Sequence, residues 1–120
     1  MLFSLALALA TAPLQQGKQA PAAEPPPAPG VCRAVADRLD KVVTNALALL
    51  EDDAKATSKG RAPRYDNDAR ARIARDLEAD RTRNAAIRKR HAKAATPADV
   101  KAAADMHLGE LTRVAGKCVA

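Results

Sequence analysis

The stretch Val31–Asp53, VCRAVADRLDKVVTNALALLEDD, is the densest run of large aliphatic side chains in the chain apart from its first residues. Cys32, Val35, Leu39, Val42, Ala46 and Leu49 follow one another at steps of three and four, the spacing of a single helical stripe. Val31, Val43, Leu47 and Leu50 widen that stripe to about 160° at 100° per residue, enough to meet two neighbouring helices. Arg33, Arg38, Asp40, Lys41 and Thr44 fall on the other side. Leu39 and Val42 sit mid-stripe, so an aspartate at either is expected to unfold the domain by burying an unpaired charge.

The 120 residues suggest one domain at most. Alanine makes up about a quarter of them, and Phe3 and Tyr65 are the only aromatic residues. That composition favours helix and argues against a sheet, which wants β-branched and aromatic side chains. The expected fold is all-α: a small three-helix bundle, with four segments as the variant. Its large aliphatic positions are few, so the core is thin and a covalent or oligomeric staple would help. The net charge of +6 favours anionic surfaces and says nothing about fold.

Residues 1–12, MLFSLALALATA, read as a signal peptide: an apolar run followed by small residues, with Ala8 and Ala10 forming an A-x-A cleavage site. No Lys or Arg precedes the run, a departure from the usual pattern. The run is shorter than the roughly 20 apolar residues that a transmembrane anchor requires. Residues 13–30 contain six of the eight prolines and read as an extended, unpacked linker. Export, to a periplasm or outside the cell, follows from this leader. The helical domain is then 31–120, with helices at about 31–53, 66–94 and 97–116.

The second helix opens on Asp66 and Asp68, where carboxylates suit the helix dipole. Asp66–Arg70, Asp68–Arg72 and Arg72–Asp76 are spaced for ion pairs along it. Its apolar side, Ala69, Ile73, Leu77, Asn84 and Ile87, is thin. The third helix starts with Thr96 as cap, Pro97 at the first position and Asp99 three residues on. Val100, Ala104, Leu108, Leu111, Ala115 and Cys118 form its expected stripe, and Gly116 its expected end.

Cys32 and Cys118 read as a disulfide within one chain; a bond between chains and two free thiols are the other possibilities. An intramolecular bond restricts topology. In an up-down-up bundle the two cysteines would lie roughly 30 Å apart, the length of a twenty-residue helix. A disulfide accepts about 7 Å between Cα atoms at most. Two arrangements reconcile these numbers. Either residues 54–64 cross over, so that helix two runs parallel to helix one, or helix two breaks near Thr82 to Asn84. The crossover is the preferred expectation.

The residues supply no obvious chemistry. His91 and His107 lack a carboxylate cluster, so no metal site is expected. There is no C-x-x-C, no glycine-rich phosphate loop, no serine or cysteine nucleophile with a base, and no implied cofactor. Catalysis is not expected. The strongest charge feature is Arg81, Arg83, Arg88, Lys89, Arg90 and Lys93, a run without an acidic residue. It is the candidate binding surface. Without an aromatic to stack on bases, nucleic acid is a poor candidate for it. The leading expectation is a small exported helical protein acting by contact with an unknown protein, as an envelope accessory, inhibitor or chaperone-like factor. The alternatives are an electrostatic binder of anionic polymer or membrane through residues 81–93, and a small exported toxin or enzyme.

Overall fold

The structure, a computed structural model, describes residues 25–119. The expected leader and most of the expected linker lie outside these residues. Among the described residues are four α-helices and no strand: α1 Pro29–Ala54, α2 Asn67–Arg90, α3 Pro97–Ala104 and α4 Leu108–Cys118. A short 3-10 turn, Thr57–Lys59, follows α1. No helix among them is long and apolar enough to cross a membrane.

α1 begins inside the expected linker, because Pro29 occupies a first-turn position where its missing N–H and fixed φ cost nothing. Only its first half is fully buried: Cys32, Ala34, Val35, Ala36, Leu39 and Val43. The stripe's far half is not. Val42 is 37% exposed and Leu49 70% exposed, so the expectation that both belong to the core is corrected. The register is rotated toward Ala34, Ala36 and Val43 because α1 meets α2 on one side and α3 and α4 on the other.

α2 runs antiparallel to α1, and cross-helix pairs fix the register. Arg70 meets Asp53 at 2.9 Å, Asn84 donates to Asp40 at 3.1 Å, and Arg88 meets Asp40 at 2.6 Å. At the far end the Arg33 guanidinium donates to the carbonyl of Ala92 at 3.0 Å. The crossover is therefore not used, and α2 has no break at Thr82 to Asn84. The expected ion pairs within α2 do not form. Asp66 instead caps the helix, accepting from the Ala69 N–H at 2.7 Å, and Arg70 turns to Asp53.

The chain meets the disulfide constraint by breaking the third expected helix. The capping box at Thr96 and Asp99 starts α3 as its sequence suggests, but α3 lasts only eight residues. It runs parallel to α1, from Asp99 beside Gly30 to Ala104 beside Arg38. The Arg38 guanidinium donates to the carbonyls of Ala103 and Ala104 at 3.3 and 2.7 Å, satisfying groups a continuing helix would have used. Asp105 and Met106 turn the chain. His107 then caps α4, its Nδ1 accepting from the Glu110 N–H at 3.1 Å. The break changes which residues are buried. Ala103, Leu111, Val114, Ala115 and Cys118 face the core, whereas Val100 and Leu108 are exposed. Gly116 does not end the helix, which continues to Cys118.

α4 thus returns antiparallel to α1 and brings Cys118 to Cys32, with Cα atoms 5.7 Å apart. The bond closes a loop with a sequence separation of 86 residues. Around it pack Val35, Leu39, Ile87, Leu111 and Val114. Space is tight at Gly30, where a Cβ would collide with the Asp99 carboxylate that completes the α3 cap.

A loop of this length removes roughly 4–5 kcal/mol of chain entropy from the unfolded state. Replacing both Cys32 and Cys118 by Ser should lower unfolding stability by about that amount, read from urea melts of the oxidised protein and the variant. Leu39→Asp should abolish cooperative melting, while Val42→Asp should keep it with a loss of less than about 1 kcal/mol. Equal damage from both would contradict the register of α1.

Candidate functional site: the two ends of the hairpin

α3 and α4 cover only the half of the α1–α2 hairpin that contains the disulfide. The other half is a two-helix arm, and the two ends differ in charge and in apolar exposure. Each is a candidate surface.

At the covered end lie the six basic residues of the expected binding surface. Residues 80–95 hold these six cations against the single carboxylate of Asp80, a net +5, nearly the whole charge of the chain. The structure gives most of them internal work. Arg88 bridges Asp37 at 3.6 Å and Asp40 at 2.6 Å, and Asp40 also accepts from the buried Asn84. Arg90 donates to the carbonyl of Val119 at 3.3 Å, at the end of α4. Arg81 meets Glu78 at 3.3 Å and Arg83 meets Asp80 at 3.8 Å, each one turn back on α2. Lys89 and Lys93 are exposed, and no ion pair or hydrogen bond among the described residues engages them. The six therefore do not form one free face, and Arg88, though half-exposed, is committed to the carboxylates of α1.

His91 lies at this end, half-buried, with Nε2 3.3 Å from the carbonyl of Cys118. His107 is occupied as the α4 cap. The two histidines are not brought together, and no group of three His, Cys, Asp or Glu side chains among the described residues is placed to hold a metal ion.

At the open end the composition of α1 changes the outcome. Ala46, Leu49 and Leu50 continue the stripe past the reach of α3 and α4, with Ile73 of α2 opposite. Together with Tyr65 they line a groove of about 420 Å³, rimmed by Asp52, Asp53, Arg61 and Arg64. Tyr65, at the start of the second helical segment, was not among the expected site residues. Its placement depends on Asp53. That carboxylate accepts from the backbone N–H groups of Arg64 and Tyr65 and from the Arg70 guanidinium, so it clamps the connection to both helices. Asp52 completes the tip by pairing with Lys59 at 2.7 Å and Arg61 at 3.1 Å. The signal available in sequence was Leu49 and Leu50 themselves, which have no matching apolar density elsewhere to cover them.

Both carboxyls are held below their ordinary value of 3.8. For Asp52 the cause is hydrogen bonding from Lys59 and Arg61; for Asp53 it is chiefly the Arg64 backbone N–H.

Comparison with protein-family models, with curated proteins and with solved structures finds no match for this chain. The class that the fold itself defines is an all-α, disulfide-closed helical bundle with a projecting two-helix arm.

The pH dependence of the tip follows from the sign of these shifts. A carboxylate with a depressed folded value stabilises fully above its unfolded value and loses that contribution as pH falls through the folded one. The tip should therefore be unaffected at neutral pH and loosen below about pH 4. Tyr65 is the sole tyrosine in a chain without tryptophan, so its fluorescence reports this directly. Asp53→Asn should loosen the tip already at neutral pH and flatten most of the acid response. An unchanged acid response in that variant would remove Asp53 from the role of clamp.

Proposed function

We propose that the chain is a small exported, non-catalytic helical protein that acts by protein–protein contact, with the open arm as its working surface. The observation that carries this reading is the groove at Ala46, Leu49, Leu50, Tyr65 and Ile73, with Leu49 left 70% exposed. A leucine so exposed beside a groove that combines apolar side chains with a charged rim offers a partner both apolar area and charges to meet. The occupant that fits is a helix with an apolar stripe flanked by charges of both signs. Two helices already form the walls, and a third laid across them buries the stripe in the way helices ordinarily pack. Charge argues against lipid headgroups at this end. Residues 46–79 contain seven acidic and seven basic residues, whereas a surface for anionic membrane would carry excess cations.

Export rests on the apolar leader of residues 1–12 and fits a disulfide between Cys32 and Cys118, a bond that persists in oxidising compartments. The envelope accessory, inhibitor and chaperone-like roles all remain within this reading, which names a mode of action.

The net +5 of residues 80–95 favours a second reading, binding of an anionic polymer or membrane surface at the covered end. Lys89 and Lys93 are its clean reporters, because Arg88 also holds the hairpin together.

The test places a photo-crosslinking side chain at Leu49 in one variant and at Lys89 in another, each irradiated in the native compartment. The groove reading expects a protein adduct of discrete mass from position 49, lost when Ile73→Glu is added, with the crosslinked peptide an amphipathic helix. Adducts from position 89 alone, with salt-sensitive retention on heparin that Lys89→Glu and Lys93→Glu together abolish, would overturn it in favour of the second reading.

A further inference from the structure

The connection between α1 and α2, residues 55–66, concentrates basic side chains as no other connection does. Residues 55–65 hold Lys55, Lys59, Arg61 and Arg64 and no carboxylate. Most of the chain's 20 Lys and Arg residues stand inside helices, where an endopeptidase reaches them only after local unfolding. The turn between α3 and α4, residues 105–107, has neither Lys nor Arg. The connection after α2, residues 91–96, has Lys93 alone, and Arg33 of α1 holds that stretch by the carbonyls of His91 and Ala92.

Backbone hydrogen bonds distinguish the four basic positions of the tip. A peptidase cleft pairs with its substrate as an extended strand, so main-chain groups must be free to turn outward. Lys55 caps α1, its N–H donating to the Asp52 carbonyl at 3.1 Å, and Lys59 lies within the 3-10 turn. The N–H groups of Arg64 and Tyr65 both donate to the Asp53 carboxylate, and bonds to a charged acceptor are the strong kind. Arg61 is held less. Its N–H makes one bond, to the neutral Ala56 carbonyl at 2.8 Å, and no hydrogen bond among the described residues engages Ala62 or Pro63. Pro63 also directs Ala62 toward extended backbone. Gly60, on the other side, has φ +75° and open space where a side chain would stand, so the chain can swivel there. The Arg61 side chain is half-exposed, and its pair with Asp52 is of the weak surface kind. Residues 60–63 are thus a short exposed bow between two feet, buried Ala56 and the Asp53 clamp.

We propose that the Arg61–Ala62 peptide bond is a processing site for a serine-type endopeptidase selective for basic residues, and that its cleavage converts the chain into two pieces joined by the Cys32–Cys118 disulfide. The chemistry is hydrolysis by one water. Its oxygen ends on the Arg61 carbonyl carbon as a new carboxylate, and Ala62 leaves as a new protonated amino terminus. Nothing is oxidised or reduced. The fold tolerates this cut, because α1 stays on the first piece, α2, α3 and α4 stay on the second, and the disulfide joins the two. The contacts of Asp40 with Asn84 and Arg88, and of Asp53 with Arg64, Tyr65 and Arg70, also cross between the pieces. Arg61 and Ala62 both line the groove of the arm, so cleavage frees one edge of it and leaves the helical walls in place. The cut requires no particular occupant of the groove.

Full-length chain with its disulfide intact is treated with limiting trypsin, a peptidase of this class, and its mass is followed with and without reductant. The expected first product is a single species of parent mass plus one water before reduction. After reduction it gives two pieces, one ending at Arg61 and one beginning at Ala62. Arg61→Gln should slow this cut at least about tenfold with an unchanged melting temperature, since the cleft selects for the cation. Lys59→Gln should be cut like the parent. Asp53→Asn should add a cut at Arg64–Tyr65, because it weakens the clamp that shields that bond. The chain is also recovered from the cells and medium of its own host, where the same two disulfide-joined pieces are expected from the parent and an uncut chain from Arg61→Gln.

A first cut at any other basic residue overturns the assignment, as does an Arg61→Gln variant cut at the parent's rate. Digestion straight to small peptides, with no two-piece intermediate, does the same, since the arm would then open before its tip is cut. Recovery of the parent from its host only in uncut form overturns the processing role even where trypsin cuts at Arg61.

Discussion

The bond between Cys32 and Cys118 dictates where everything else can go. Two residues at opposite ends of the helical region must come within 5.7 Å, so the number of antiparallel passes has to be even. Three full-length helices cannot satisfy that without a crossover. The chain keeps short connections throughout and divides its last helical segment into two short helices, one running up α1 and one running back. Because those two together are only nineteen residues of helix, they reach just half of α1. The projecting arm is the direct geometric result: a long hairpin closed by a pair of short helices leaves its far half uncovered.

Arginines on α1 and α2 make the division workable. Helices that end inside a small domain leave carbonyls without partners, and each orphan is costly if it is shielded from water. Arg33 meets the carbonyls after α2, Arg38 those at the end of α3, and Arg90 the one after α4. In each case a guanidinium from another helix does what a following turn would have done. Cations at helix C-termini also suit the dipole. The chain's excess of arginine is thus partly structural, and its positive charge is a weaker indicator of an anionic ligand than the bare count suggests.

The sequence was informative where the signal is local. The helical class, the cap at Thr96 with Pro97 and Asp99, the start of the second helix at Asp66 and the central place of Leu39 are all set by residues a few positions apart. It was misleading where a distant residue decides. Arg33 and Arg38 look like ordinary solvent-facing positions of an amphipathic helix, yet they terminate two other helices. Asp105 to His107 contains neither glycine nor proline to announce the break between α3 and α4; His107 caps by its ring nitrogen, an uncommon cap with no strong sequence mark. Val42 and Leu49 belong to the stripe by periodicity and are exposed because of how far α3 and α4 extend, which periodicity does not encode. The six basic residues form a run in sequence, but α2 distributes those it carries around its surface and directs Arg88 across to Asp40 of α1.

The position of the disulfide also determines how the domain bears load. Cys32 lies in the first turn of α1, and Cys118 is the last residue of α4, so chain arriving before Pro29 and chain leaving after Val119 emerge side by side. Tension applied through those two flanks passes across a single covalent bond. The chain between them, with the whole arm and all but the first turn of α1, lies outside the force path. Pulling or grafting through these flanks would stretch whatever is attached while the bundle and its projecting arm keep their shape.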